Sequence, residues 1–307
     1  MPWPDGREGM AEGAVDMTAT TLARGDVASV RVAGGTFRDD LRAVKMVWKR
    51  ELIRFSRSRA RIVTSLAQPI IYLFVLGSGI GSLAATGATK GFDFRTFMFP
   101  GVIAMTVLFT SIFSAVSIVW DREFGFLREM LVAPIRRGAL VTGKCIGGAS
   151  VATVQGALML VLAPAVGVPW SPLLVIWLLL VMALTAFVLT ALGIVIASRM
   201  QQVESFQFVM QLLVLPMFFL SGAVFPLSRL PRWLSVATRV DPLTYLVDPM
   251  RHIVFGHVHA SPRVRAELLP PVTWNGWRVP VGLEIAMSAA FGVALLTAAV
   301  RLFSKTD

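Results

Sequence analysis

The chain has 307 residues, 55% of them hydrophobic and 15% charged, with a mean hydropathy of +0.70; soluble domains carry about 25% charge, so a water-soluble globule is excluded. A net charge of +11 and a pI near 11.1 would point to nucleic acid in a soluble domain, but in a membrane chain Lys and Arg hold loops on the cytoplasmic side. The single Cys145 cannot form an internal disulfide.

Residues 1–36 are rich in Gly, Ala, Asp and Arg and contain no apolar run of signal-peptide length. They read as a disordered cytoplasmic arm with no cleaved signal. Residues 37–61 follow as an amphipathic helix. Leu41, Val44, Trp48, Leu52 and Phe55 recur at helical spacing, and Arg42, Lys45, Lys49, Arg50 and Arg54 surround them. Such a helix is expected in the headgroup layer, apolar side down, with its cations on anionic lipid.

A helix rises about 1.5 Å per residue and the hydrocarbon core is about 30 Å thick, so roughly 20 uncharged residues make a span. The charge-free windows predict six spans near 62–83, 98–119, 145–166, 173–197, 206–226 and 281–300. The third and fourth come from one long window, 145–198, broken by Pro164, Gly167, Pro169 and Pro172. Assigning the loops to alternate sides places 20 Lys and Arg on one side and 2 in the short loops opposite, with 7 more in the long loop 227–280. Long loops count weakly in this rule, so both termini are expected in the cytoplasm.

The cytoplasmic loop 120–144 mixes acids, bases and large apolar residues before stopping at Pro134. A short helix of this composition docks in the groove of a soluble partner, or packs on lipid or on its own spans. The residues alone leave both open. Residues 242–256 are apolar but too short to cross and contain Pro249, which fits a re-entrant or interfacial piece enclosed by protein. His257 and His259, with His252 nearby, form a weak metal pattern and read as ordinary loop histidines. Gly138 to Lys144 matches a G-x-x-x-x-G-K phosphate loop, yet Cys145 stands where a hydroxyl is needed and a span follows at once. ATP binding by this chain is not expected. The span interiors predicted this way carry no ionisable group of the kind an ion-coupled pump needs, so the driving force is expected from outside the chain.

EFGFLREMLVAPIRR directly after the second span and FPLSRLPRWLSVATRVDPLTYLVDPMR directly after the fifth together resemble the type-2 permeases of ATP-binding-cassette exporters, such as those for daunorubicin-type drugs, nodulation factors and polysaccharides. The resemblance covers about residues 37–303. It implies an all-α integral membrane protein with six transmembrane helices over 62–303, an N-terminal amphipathic connecting helix (Trp48, Arg50, Arg54) and a re-entrant external helical hairpin at 227–256. It further implies a coupling helix at 121–134 that contacts an ATPase subunit, involving Asp121, Glu123, Phe124, Gly125, Leu127, Arg128, Glu129, Leu131 and Pro134. Phe225, Pro226, Asp241, Pro242, Tyr245 and Arg251 match the external gate. The implied partners are two copies of an ABC ATPase that carries ATP and Mg, a second permease chain, membrane lipid and the exported substrate. A pathway along the permease–permease seam, lined by spans one, two and five, is expected on the same ground.

Overall fold

A computed structural model describes residues 37–84, 93–124, 136–227, 230–274 and 276–305. The arm 1–36 and most of the coupling segment, including Gly125, Leu127, Arg128, Glu129, Leu131 and Pro134, lie outside the described residues.

Among the described residues six helices are long and apolar enough to cross a membrane: Ile62–Ser82, Phe94–Glu123, Arg137–Leu162, Pro172–Ala197, Val203–Leu220 and Val281–Ser304. The all-α, six-span reading holds. The boundaries differ where charge was used as the ruler. The third span begins at Arg137 and takes in Lys144, because a neighbouring acid compensates that cation inside the bundle. The phosphate-loop match therefore lies on a continuous helix, Arg137–Met159.

The second span is the centre of the bundle, with 78% of its most apolar stretch buried against 17% for the first, 28% for the fifth and 22% for the sixth. Those three outer spans therefore leave apolar sides uncovered, among them Ile71 and Val75 on the first and Phe208, Leu212 and Leu215 on the fifth. In the first span Pro69 precedes a π turn at Tyr72–Leu76, the local rearrangement expected where proline removes a helical hydrogen bond. Two short 3₁₀ turns, Leu160–Leu162 and Pro164–Val166, end the third span, and Gly167 at φ 75° turns the chain toward the fourth. Thr96 Oγ1 donates to the Val166 carbonyl at 2.6 Å, fastening this turn to the start of the second span.

Helix α1 (Phe37–Arg57) packs along the first half of the third span. A Cβ on Gly143 would lie 2.9 Å from the Val47 Cβ, so the close approach of these two helices requires glycine there. Trp48 Nε1 donates to Ser150 Oγ at 3.0 Å, and Arg136 pairs with Asp40 at 3.4 Å at the other end of the contact.

After the fifth span the chain forms two short helices, α2 (Arg232–Val240) and α3 (Thr244–His257), then a third, α4 (Pro262–Leu268), and a two-stranded hairpin pairing β1 (Thr273–Trp274) with β2 (Trp277–Arg278). Helix α3 has 14 residues, roughly 21 Å of rise, too short to cross. It packs against the second, fourth and sixth spans, and every residue from Thr244 to Arg251 is buried. Protein thus encloses it on these three sides.

Candidate coupling site and helical cap

The end of the second span carries three consecutive charged residues, and each reaches a different part of the bundle. Asp121 pairs with Lys144 of the third span, whose ammonium also lies 3.3 Å from Ser117 Oγ. Arg122 Nη1 donates to the carbonyls of Ser198 at 3.0 Å and Met200 at 2.9 Å, at the end of the fourth span. Its guanidinium also sits 5.9 Å from the centre of the Phe303 ring on the sixth. Glu123 Oε2 accepts from the Val203 amide at 2.9 Å, capping the fifth span at the helix end where amides lack partners and the dipole favours an anion. Phe124, the next residue, is exposed.

These bonds tie one short stretch to four other spans just before the segment 125–135. Among the expected coupling residues, Asp121 and Glu123 are placed in this clasp. Arg122 was not singled out from the sequence. Its role depends on two carbonyls from a distant turn, which no local pattern reveals.

Among the connecting-helix residues, Trp48 fixes α1 to the third span, while Arg50 and Arg54 flank Glu51 at 3.5 and 3.9 Å.

On the opposite side, Asp241 organises the junction between α2 and α3. Its Oδ1 accepts from the Leu243 amide at 3.0 Å and its Oδ2 from Thr244 Oγ1 at 3.4 Å. Burial raises the Asp241 carboxyl to about 7, against the pull of these two hydrogen bonds. Tyr245 donates its hydroxyl proton to the Arg239 carbonyl at 2.7 Å and accepts from Trp274 Nε1 at 2.8 Å, so one phenol joins α2, α3 and the β hairpin.

Arg251 is fully enclosed. It donates to the Gly222 carbonyl in the turn after the fifth span, and its guanidinium lies 4.4 Å from the centre of the Phe97 ring on the second. Burial lowers Arg251 to about 10, opposed by Asp248, which leaves it a cation at neutral pH. Phe225 packs against the main core, and Pro226 and Pro242 are half-buried. His252 Nδ1 lies 3.3 Å from Asp248 Oδ2, and this hydrogen bond raises its pKa. His257 Nδ1 is instead 2.9 Å from the Ile253 carbonyl. No group of three His, Cys, Asp or Glu among the described residues is placed to hold a metal. Glu284, in the first turn of the sixth span, is fully buried beside Asp248, and its oxygens meet no donor among the described residues.

Six spans, a clasp at one end and an enclosed helical cap at the other define a multi-pass membrane protein of the transport-permease class. The chain belongs to the ABC-2 type transporter family, which it matches over residues 42–255. It is 34% identical over 215 residues to Nodulation protein J of Rhizobium leguminosarum bv. trifolii, a match covering 69% of this chain and 80% of that protein. It is 31% identical to Nodulation protein J of Rhizobium meliloti (strain 1021) over 68% of this chain and 80% of the relative. It is also 25% identical to the inner membrane transport permease YadH of Escherichia coli (strain K12) over 70% of this chain and 83% of the relative. Membership of this family implies partnership with an ABC ATPase subunit.

Proposed function

We propose that this chain is the membrane-spanning subunit of an ATP-driven exporter in the inner membrane, with both termini cytoplasmic. It pairs with a second permease chain and with two copies of a separate ATPase. ATP and Mg²⁺ reside on that ATPase and supply the closing force; the chain's own part is to receive and transmit it. The observation that carries this reading is the clasp of Asp121, Arg122 and Glu123, which binds the foot of the second span to the other spans beside a segment of docking composition.

Closure of the two ATPase subunits moves the coupling segments 121–134, and the clasp passes the displacement to the spans as rigid bodies. The two bundles then part toward the outside, where α2, α3 and the β hairpin cap the exit. The cargo is a hydrophobic drug, a lipid or a glycan-bearing molecule.

Purification in mild detergent and identification of what co-elutes tests this. A stoichiometric ATPase supports the exporter. A stoichiometric partner without ATPase activity would instead mark a membrane scaffold. No partner, with uptake sensitive to an ion gradient, would mark a secondary carrier.

A further inference from the structure

Where α1 docks on the third span, one flank of the helix and Ile146 of the span form an open groove of about 600 Å³. Three cations, Arg38, Arg42 and Lys45, line it together with the apolar Leu41, Trp48 and Ile146, and among the described residues no acid does. We propose that this groove binds an anionic phospholipid, with the phosphate among the three cations and an acyl chain running along the third span.

The two helices run side by side in the same direction, from the Asp40–Arg136 pair to the bond between Trp48 and Ser150. Only part of the apolar side of α1 is used in this docking. Val44 and Val47 face Gly143, whereas Leu41 is 60% exposed and Ile146, in the same groove, 39% exposed. Trp48 marks the inner end of the groove, and an indole suits the boundary between headgroups and hydrocarbon. Back along α1, toward the start of the third span, Lys45, Arg42 and Arg38 follow Trp48 at about 5, 9 and 15 Å of helical rise. In the opposite direction Val154, Leu158 and Val161 continue the face of Ile146 along the span, and all three are exposed. That strip is about 22 Å long, more than the roughly 15 Å of hydrocarbon in one leaflet. Charge therefore lies toward the start of the span and oil toward its middle, the order of head and tail in a lipid.

The cations set the sign of the head. Asp40 is engaged by Arg136, and Asp39 stands 3.9 Å from Arg42 at an exposed position where water screens the pair. The groove is left with a positive excess, and the arginine forks match the geometry of a phosphate. A free phosphate would satisfy the cations and leave Leu41, Ile146 and the strip beyond them uncovered. A zwitterionic lipid would cover the strip but bring a further cation against three like charges. An anionic phospholipid meets both demands and joins α1 to the third span without being cargo. The inference needs only the membrane-spanning fold. Its test uses neither ATPase nor nucleotide, so its failure leaves the exporter reading standing.

The full chain is placed in phosphatidylcholine nanodiscs holding a trace of phosphatidylglycerol with a diazirine in its acyl chain, or a trace of phosphatidylcholine with the same photoreactive chain. After irradiation the labelled residues are located by mass spectrometry. Phosphatidylglycerol should label residues 146–161 about a hundredfold more than phosphatidylcholine, the preference expected of three cations at a membrane surface. Arg42→Gln with Lys45→Gln should leave less than about a tenth of that excess. Arg57→Gln with Arg59→Gln, which removes the same charge outside the groove, should leave it in place. Ile146→Trp, which fills the groove and removes no charge, should lower the excess at 154–161. Equal labelling by the two lipids, an excess spread evenly to outward positions such as Phe208 and Leu212, an equal loss in the two double variants, or an excess unchanged in Ile146→Trp would each overturn the proposal. Displacement of the labelled lipid by an equimolar soluble acidic peptide would overturn it too, and would assign the groove to a protein partner.

Discussion

The Lys144 ammonium and the Asp121 carboxylate form an ion pair between the third span and the foot of the second, with side chains only 4% and 13% exposed. Removing one member of such a pair strands a charge in a poorly solvated place, at a cost of about 3–5 kcal/mol, whereas replacing both by neutral groups costs far less. Asp121→Asn is therefore expected to lower the melting temperature in detergent sharply. Asp121→Asn combined with Lys144→Met should recover most of the loss. A double variant as unstable as the single one would show that the pair is not a closed unit.

Arg122 offers a different test, because its two acceptors lie on the loop that leads from the fourth span to the fifth. Lys can donate to both carbonyls, since one nitrogen, Nη1, serves the two in the native chain, but its point charge on a flexible stem cannot reproduce the flat guanidinium that also lies over the Phe303 ring. Arg122→Lys should insert normally and bind the ATPase, yet export less cargo for each ATP hydrolysed. Measuring both rates in the same vesicles separates this uncoupling from a simple loss of assembly, in which the two would fall together.

The docking of α1 depends on the bare surface of Gly143 facing Val44 and Val47. Gly143→Leu should push α1 off the third span and break the bond from Trp48 to Ser150. Limited proteolysis reads this directly: cleavage near Arg57 and Arg59 should accelerate in the variant, while cleavage at Arg263 and Arg265 on the other side should not.

The helical cap carries its own pH dependence. Asp241 titrates near 7, above its ordinary 3.8, because burial penalises the anion. Over that interval the folded chain holds a proton the unfolded chain has lost, so stability falls as pH rises from about 4 to about 7. His252, raised chiefly by its hydrogen bond to Asp248, adds stability present below its ordinary pKa of 6.5 and lost at higher pH, in the same direction. Asp241→Asn keeps an acceptor for the Leu243 amide and cannot ionise. The variant should match the parent near pH 4, exceed it in melting temperature at pH 8, and retain the smaller slope due to His252.

The sequence exposed the spans because each is a long apolar run, and the turn at 164–172 because prolines and glycine interrupt one. It misjudged the start of the third span because it treated every charge as a boundary. Lys144 is tolerated inside only through Asp121, 23 positions earlier in the chain, and that pairing exists only once the helices pack. Asp241, Tyr245 and Arg251 came from a matched motif, and their partners in the fold could not be read from it. The Gly222 carbonyl, the Phe97 ring and Trp274 come from other elements.

ATP-driven transport in vesicles reconstituted with this chain, with and without the ATPase, tests the account most directly, using Glu123→Lys as the variant. Replacing the carboxylate that caps Val203 with a cation sets like charge against the positive end of the fifth span. Uphill movement of cargo should require the ATPase and nucleotide, and should disappear in Glu123→Lys although the variant still inserts. Accumulation against a gradient by the chain alone, without nucleotide, would contradict the claim that this permease is moved by force received at its cytoplasmic clasp.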